Sequence, residues 1–305
     1  MGTMHTQNEP DTDRIEIEKT DEALIVRIDG DLFCEYRYAF DPRPIIYPLH
    51  APGGAMVTRH YPMDEAENES RDHPHHQSLW FAHGDVNGHD FWHPGTNQRR
   101  IVHDEFIEIT PGIAEATVIS TNLWMTEDGL ELCAEKRTMI FAGDDTHRTI
   151  DFTFTLTSSV PELRFGDTKE GTMAMRLAPQ LRLNGTVARG KALNSEGIQG
   201  KNVWGKRARW VAYSGPIDGQ TVTVVMFDHP SNLSHPTWWH ARDYGLFAAN
   251  PFGVHDFEGK PAHTGDHTIT ADKTLTLRYR IAIYSNDPDS AQLDAEFARY
   301  AAKDR

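Results

Sequence analysis

The run "RRIVHDEFIEIT" (99–110), "IAEATVISTNLWM" (113–125), "LELCAEKRTMIFA" (130–142) and "HRTIDFTFTLTSS" (147–159) decides the fold class. In the last of these, Ile150, Phe152, Phe154 and Leu156 alternate with Asp151, Thr153, Thr155 and Thr157. A period of two places the apolar set on one face of a β-strand. The connectors "PG", "EDG" and "GDD" are turn formers, so the four runs read as an antiparallel meander. Working outward, "RIEIEK" (14–19), "ALIVRI" (23–28), "DLFCEYRYA" and "RPIIYPLHA" continue the pattern on one side. On the other side, "RARWVAY" (207–213), "QTVTVVMFD" (220–228) and "TLTLRYRIAIYS" (274–285) do the same. The one convincing helix lies in "DPDSAQLDAEFARYAAKDR", where Leu293, Phe297 and Tyr300 form an apolar stripe. So many strands must hide their edges, and two large packed sheets or a closed barrel do this. The expected fold is all-β: one large antiparallel β-sandwich of roughly 15 or more strands, with a C-terminal helix. Residues 14–305 are read as a single domain behind a polar, disordered tail at 1–13.

Composition excludes several classes. A net charge of −15 argues against nucleic acid and anionic membranes as partners. No stretch approaches the roughly 18 apolar residues of a membrane span. Cys34 and Cys133 form neither a disulfide framework nor a zinc pattern, which points to a reducing, cytoplasmic location.

The unusual residues fall outside the alternating runs, in four segments. The first, "DHPHHQSLWFAHGDVNGHDFWHPG" (72–95), holds six histidines among aromatics and aspartates. The second, "GDTKEGTMAMR" (166–176), crowds Asp167, Lys169, Glu170 and Arg176 together. The third is the Gly-rich "NSEGIQGKNVWGKRARW" (194–210), and the fourth is "HPSNLSHPTWWHARDYGLFAANPFG" (229–253). Charged groups beside tryptophans suit a polyhydroxylated ligand, whose C–H faces pack on rings while hydroxyls meet carboxylates, amides and guanidinium forks. A small-molecule carbohydrate is therefore the expected partner. His75, Trp80, Asp85, Asn87, Asp167, Lys169, Arg176, Trp204, Trp239, Arg242, Tyr244 and Asn250 are the expected contacts. Of Trp238 and Trp239, adjacent on a strand, one should be core and the other a platform. His83, between "LWFA" and a turn, should sit at a strand end open to the pocket. His89, His93 and His103 are read as framework residues bonded to backbone. The spacing His73-x-His75 would let a strand present two imidazoles to one divalent metal, with His76 beside them. No established ligand pattern accompanies them, and no cofactor is assigned. G-x-S-x-G and G-x-G-x-x-G are both absent.

The segments "DHPHHQSLWFAHGDVNGHDFW", "DTKEGTMAMR", "WGKRARWVAY" and "PTWWHARDYGLFAANPFG" resemble a bacterial family labelled PmoA-like, a domain of unknown function of the DUF6807 type. That label comes from a membrane copper protein, and this chain lacks a membrane span to match it. A second similarity is to the aldose 1-epimerases, or galactose mutarotases, carried by "HGDVNGHDFW". Asp85 stands there in place of that family's second glycine. This resemblance implies a mutarotase-like supersandwich, with His83 contacting sugar, a second histidine as acid and a distant carboxylate as base. The residues suggest His76 or His240 for the acid, and Glu170 or Asp243 for the base. An epimerase comes first among the expected functions, then a lyase or hydrolase. A non-catalytic sugar-binding module and a metal-dependent enzyme built on the histidines are the alternatives.

Overall fold

The structure is a computed structural model that describes residues 13–93, 95, 99–271 and 273–303. Most of the expected N-terminal tail lies outside the described residues. Among those described, eighteen strands form two eight-stranded antiparallel sheets and one two-stranded ribbon. Sheet one runs β1 (Ile15–Lys19), β2 (Ala23–Ile28), β3 (Asp31–Arg37), β4 (Ile45–Leu49), β5 (Leu79–His83), β11 (Gly171–Arg176), β16 (Leu246–Asn250), β15 (Trp238–Ala241). Sheet two runs β12 (Lys191–Asn194), β13 (Trp210–Ile217), β14 (Gln220–Asp228), β18 (Thr274–Tyr284), β9 (His147–Ser158), β8 (Glu131–Gly143), β7 (Glu115–Met125), β6 (Arg100–Thr110). The ribbon pairs β10 (Glu162–Phe165) with β17 (His267–Thr270). The meander read from 99 to 158 is β6 to β9, in sequence order.

The sheets pack through their alternate faces. Phe81 of sheet one stacks on Phe154 of sheet two at 3.8 Å between ring centres. Trp124 fills the space beside Phe81, Phe91 and Phe165. A polar knot lies within this core. The buried Glu135 carboxylate accepts from Trp124 Nε1 at 2.9 Å, Asn122 Nδ2 at 3.0 Å and Arg137 Nε at 2.7 Å. The Arg137 guanidinium also lies over the Tyr36 and Phe154 rings. Such a pair survives burial only because each charge meets its partner and further donors or rings.

Two α-helices are present among the described residues, α1 (Val254–Glu258) and α2 (Ser290–Ala301). α2 is the helix expected near the C-terminus, and an Asp289–Gln292 capping box starts it. Its Leu293, Phe297 and Tyr300 cover Trp210, Val225 and Phe227 on sheet two, forming a second, smaller core. No helix among the described residues is long and apolar enough to cross a membrane.

The register of sheet one matters most for function. β5, β11, β16 and β15 are neighbours although they come from three distant parts of the chain. Long-range pairing thus sets the first, second and fourth unusual segments side by side.

The knot in the core gives a direct test. Glu135→Ala should lower unfolding free energy in urea by about 3–5 kcal/mol, since it strands the Arg137 charge inside the core. A loss below about 1 kcal/mol would show that water or other groups replace the carboxylate.

Candidate functional site

Because Phe81 faces sheet two, Trp80 and Ala82 must face outward. Their partners across the sheet share that face. One row reads Trp80, Ala174, Ala248, His240, and the next reads Ala82, Thr172, Asn250, Trp238. Arg176 and Leu246 begin the row on the other side. Small side chains in the two central strands make a low, fully buried floor between Trp80 and His240. The reachable surface is the rim around it.

One wall of that rim is the histidine-rich loop, tied down by charge. The Asp72 carboxylate accepts from Arg59 Nη1 at 2.6 Å, Arg176 Nη2 at 2.8 Å and Ser70 Oγ at 2.8 Å. Burial opposes its ionisation, but Arg176 beside it and the bonds from Ser70, His73 and Arg176 hold it well below the usual carboxylate range. Arg176 Nη1 also donates to His76 Nδ1 at 2.9 Å, which fixes His76 as a neutral ring carrying its proton on Nε2. Burial, reinforced by the charges around it, pushes the His76 pKa far down. His73, His76 and Tyr244 form a cluster of near-parallel rings, with His73 4.7 Å from His76 and 5.2 Å from Tyr244, and His76 6.4 Å from Tyr244. His75 packs on His93 at 3.9 Å, and burial lowers its pKa to about 3.

The opposite wall comes from the second, third and fourth segments. His240 donates from Nδ1 to the Lys169 carbonyl at 3.0 Å, leaving Nε2 as an acceptor. Burial lowers its pKa to about 4, so the ring is neutral near pH 7. Glu170, one residue along from that carbonyl, is displaced the other way. Burial raises its pKa, and Lys169, with Nζ 3.6 Å from Oε1, only partly offsets this. Lys169 also faces Asp256 of α1 at 4.0 Å. Trp204 closes the wall, 6.4 Å from the His240 ring and 5.5 Å from Phe257. The Arg242 guanidinium lies over both Trp204 and Tyr244.

The structure therefore brings His73, His75, His76, Trp80, Lys169, Glu170, Arg176, Trp204, His240, Arg242 and Tyr244 to one outer face. Other expected site residues are inside the fold or spent on loop contacts. His83 is on the inner face of β5, fully buried, with Nε2 bonded to the Gly166 carbonyl at 2.8 Å. It sits inside the fold rather than at an open strand end. Trp239 is likewise on the inner face, fully buried, and donates to the Ala208 carbonyl. Trp238 is the outward member of that pair, bonded to Glu258 at 3.0 Å. Asp85 pairs with Arg164, and Asn87 bonds the Arg164 amide and the Glu162 carbonyl. Asp167 accepts from the His255 and Gly265 amides, and Asn250 bonds the Thr168 carbonyl and the Phe252 amide. These four brace the loops behind the wall. Asp243 parts from its neighbours Arg242 and Tyr244, for it lines a cavity of about 1150 Å³ with Asn184, Lys191 and Asp289. His73, His75 and His76 lie close together, yet no group of three or more His, Cys, Asp or Glu among the described residues is arranged to hold a metal ion.

Sequence reasoning passed over Arg59, Asp256 and Phe257. The last two lie in "GVHDFEGK", where an acid beside an aromatic in a Gly-bounded turn is a usable signal. Arg59 carries none, because its role exists only once Asp72 is folded against it.

Residues 23–298 match the family model described as "Family of unknown function (DUF6807)". No curated protein matches the chain. Among solved structures, the chain resembles the 4-alpha-glucanotransferase of Thermococcus litoralis at 10% identity and a TM-score of 0.34, covering 90% of this chain and 40% of that one. It resembles a galactose mutarotase related enzyme of Lactobacillus acidophilus at 9% identity and a TM-score of 0.29, covering 90% and 97%. A candidate aldose 1-epimerase of Escherichia coli K12 follows at 12% identity and a TM-score of 0.29, covering 89% and 99%. At such scores these likenesses support no argument about activity.

The buried histidines make stability depend on pH. His83 and His240 both have folded pKa values near 4, against an ordinary 6.5. Between those values the unfolded chain binds protons that the folded chain does not, so acid favours unfolding. Each histidine should remove up to about 1.4 kcal/mol per pH unit as pH falls from about 6.5 toward 4. Urea denaturation at about pH 7, 6 and 5 should show this progressive loss. Equal stability across the series would mean that both rings are protonated without penalty.

Proposed function

The chain belongs to the DUF6807 family, and from that premise and its site we propose that it is an enzyme performing general acid–base chemistry on a small sugar or glycoside. The observation that carries this reading is that Lys169 links Glu170, 3.6 Å from its Nζ, to His240, which bonds its carbonyl beside Trp204, while the pKa values of Glu170 and His240 are displaced in opposite directions. Two titratable groups pushed apart by their surroundings divide naturally into acid and base. The neutral His240 offers its Nε2 lone pair, because Nδ1 is committed to the Lys169 carbonyl. It takes the proton of an anomeric hydroxyl. The Glu170 carboxyl, whose raised pKa retains its proton to higher pH, gives that proton to the ring oxygen. The ring C–O bond breaks as the carbonyl forms, and reversal of both transfers closes the ring to either anomer. Trp204 presents a ring for the sugar's C–H surface, and Lys169 steadies negative charge as it develops. This assignment exchanges the roles that residue types alone suggested, where a carboxylate was the base and a histidine the acid. The same pair would also serve β-elimination or hydrolysis. The label PmoA-like does not enter this reading, which rests on the acid–base pair.

We place the protein in the cytoplasm, acting as one domain from residue 14 onward. Cys34 and Cys133 are both free and buried, which suits a reducing compartment.

Anomeric exchange or product release from a panel of free sugars and glycosides, followed by NMR, tests the reading. Glu170→Gln and His240→Asn should each slow turnover by about 10²–10⁴-fold while the proteins remain folded by circular dichroism. Full turnover in both variants would overturn the acid–base pair. Sugar binding without any turnover in the unmodified protein would instead make it a binding module.

A further inference from the structure

Arg242 stands apart from the other cations around the site. Arg59 and Arg176 share the Asp72 carboxylate, and Lys169 faces Glu170 and Asp256. Arg164 pairs with Asp85 and Asp266. No carboxylate or hydrogen bond among the described residues engages the Arg242 guanidinium. Its contacts are two aromatic faces, Trp204 at 5.7 Å and Tyr244 at 5.5 Å. In a chain with 45 acidic against 30 basic residues, a half-buried arginine kept clear of every carboxylate is a placed feature.

The backbone beneath it is fixed. The Arg242 amide donates to the Leu246 carbonyl at 2.7 Å, and its own carbonyl accepts from the Gly245 amide and from the Tyr213 hydroxyl, both at 3.1 Å. Ring contacts orient a guanidinium while leaving its N–H edge unspent, and partial burial strengthens its attraction for an anion. Trp204 is also the platform proposed for the sugar. A sugar packed beside it would bring an exocyclic substituent within reach of this fork.

We infer that the ligand is an anionic sugar, whose oxyanion group, a uronate carboxylate or a phosphate ester, is bound by Arg242 between Trp204 and Tyr244. The inference rests on the sugar-site reading above and narrows its substrate class. A planar guanidinium matches either oxyanion with paired N–H donors, and Lys169 adds a second cation on the same rim.

Titration calorimetry on the full chain with glucuronate, galacturonate and glucose 6-phosphate, against glucose and galactose, tests it. An anionic sugar should bind about ten- to hundred-fold more tightly than its neutral parent, the range expected of a charge-assisted hydrogen bond. The uronate and phosphate arms show which oxyanion is preferred. Arg242→Gln should abolish the preference for charge, and Arg242→Lys should keep part of it. An unchanged melting temperature in either variant shows that the fold is intact. Equal affinity for charged and neutral sugars, or a preference that survives Arg242→Gln, overturns the inference. Turnover of neutral sugars without charge preference would remove this inference and leave the acid–base reading standing. An Arg242-dependent preference without turnover would do the reverse. Binding of no sugar in the panel overturns both.

Discussion

A single carboxylate, Asp72, lies where two arginines meet, and the shape of the site depends on it. Arg59 reaches it from 13 positions away and Arg176 from 104 positions away. Together they pull the histidine-rich loop across the outer face of β11. Bringing two buried arginines onto one partly exposed carboxylate contributes little net stability, because desolvation of the arginines offsets much of the attraction. Its consequence is geometric. Arg176 is bound to Asp72 and His76 and is fully buried, and the cluster of His76, His73 and Tyr244 forms around it. Without that node the loop would lie on the surface as a solvated, proline-bounded turn, which is what its composition alone describes.

The strands were easy to read because their alternation reports directly on burial. β6 to β9 emerge from residue pattern within a residue or two, and α2 lies inside the run expected to hold it. The site was harder, for a physical reason visible in β5. "LWFAH" is buried on both faces, so nothing in its sequence says which side each residue takes. The sequence pattern alone puts His83 at an open strand end together with Trp80. The fold puts His83 inside with Phe81, and Trp80 outside beside His76. β15 poses the same problem, with Trp239 inside and His240 outside. At the turn that follows, Arg242 and Tyr244 go one way and Asp243 the other. Composition thus located the four segments, and parity within each strand decided which members face a ligand.

The electrostatics divide along the same lines. Every strongly displaced histidine at or near the site is moved downward by burial, so the imidazoles count as neutral acceptors or donors rather than cations. A dense histidine cluster therefore adds little positive charge. Positive charge on the rim comes from Lys169 and Arg242, and it is set against a carboxyl that burial pushes toward neutrality. An acidic chain thereby carries two cations on the rim of the proposed site.

The scaffold also explains how such a site can be held firmly with few dedicated supports. β11 sends Met173 and Met175 into the sandwich core and Thr172, Ala174 and Arg176 to the outer face. The same five residues thus anchor the sheet and position the chemistry. Glu170 precedes this strand and Lys169 supplies the carbonyl that orients His240, so the acid–base pair is referenced to one rigid element. Arg242 and Tyr244 hang from the β15–β16 turn, two strands away in the same sheet. Pairing distances within a sheet vary little, so the separation between the acid–base pair and the cationic end is set by backbone hydrogen bonds, not by side-chain packing. Under the proposed reading, a ligand spanning both ends would be selected by length as well as by charge.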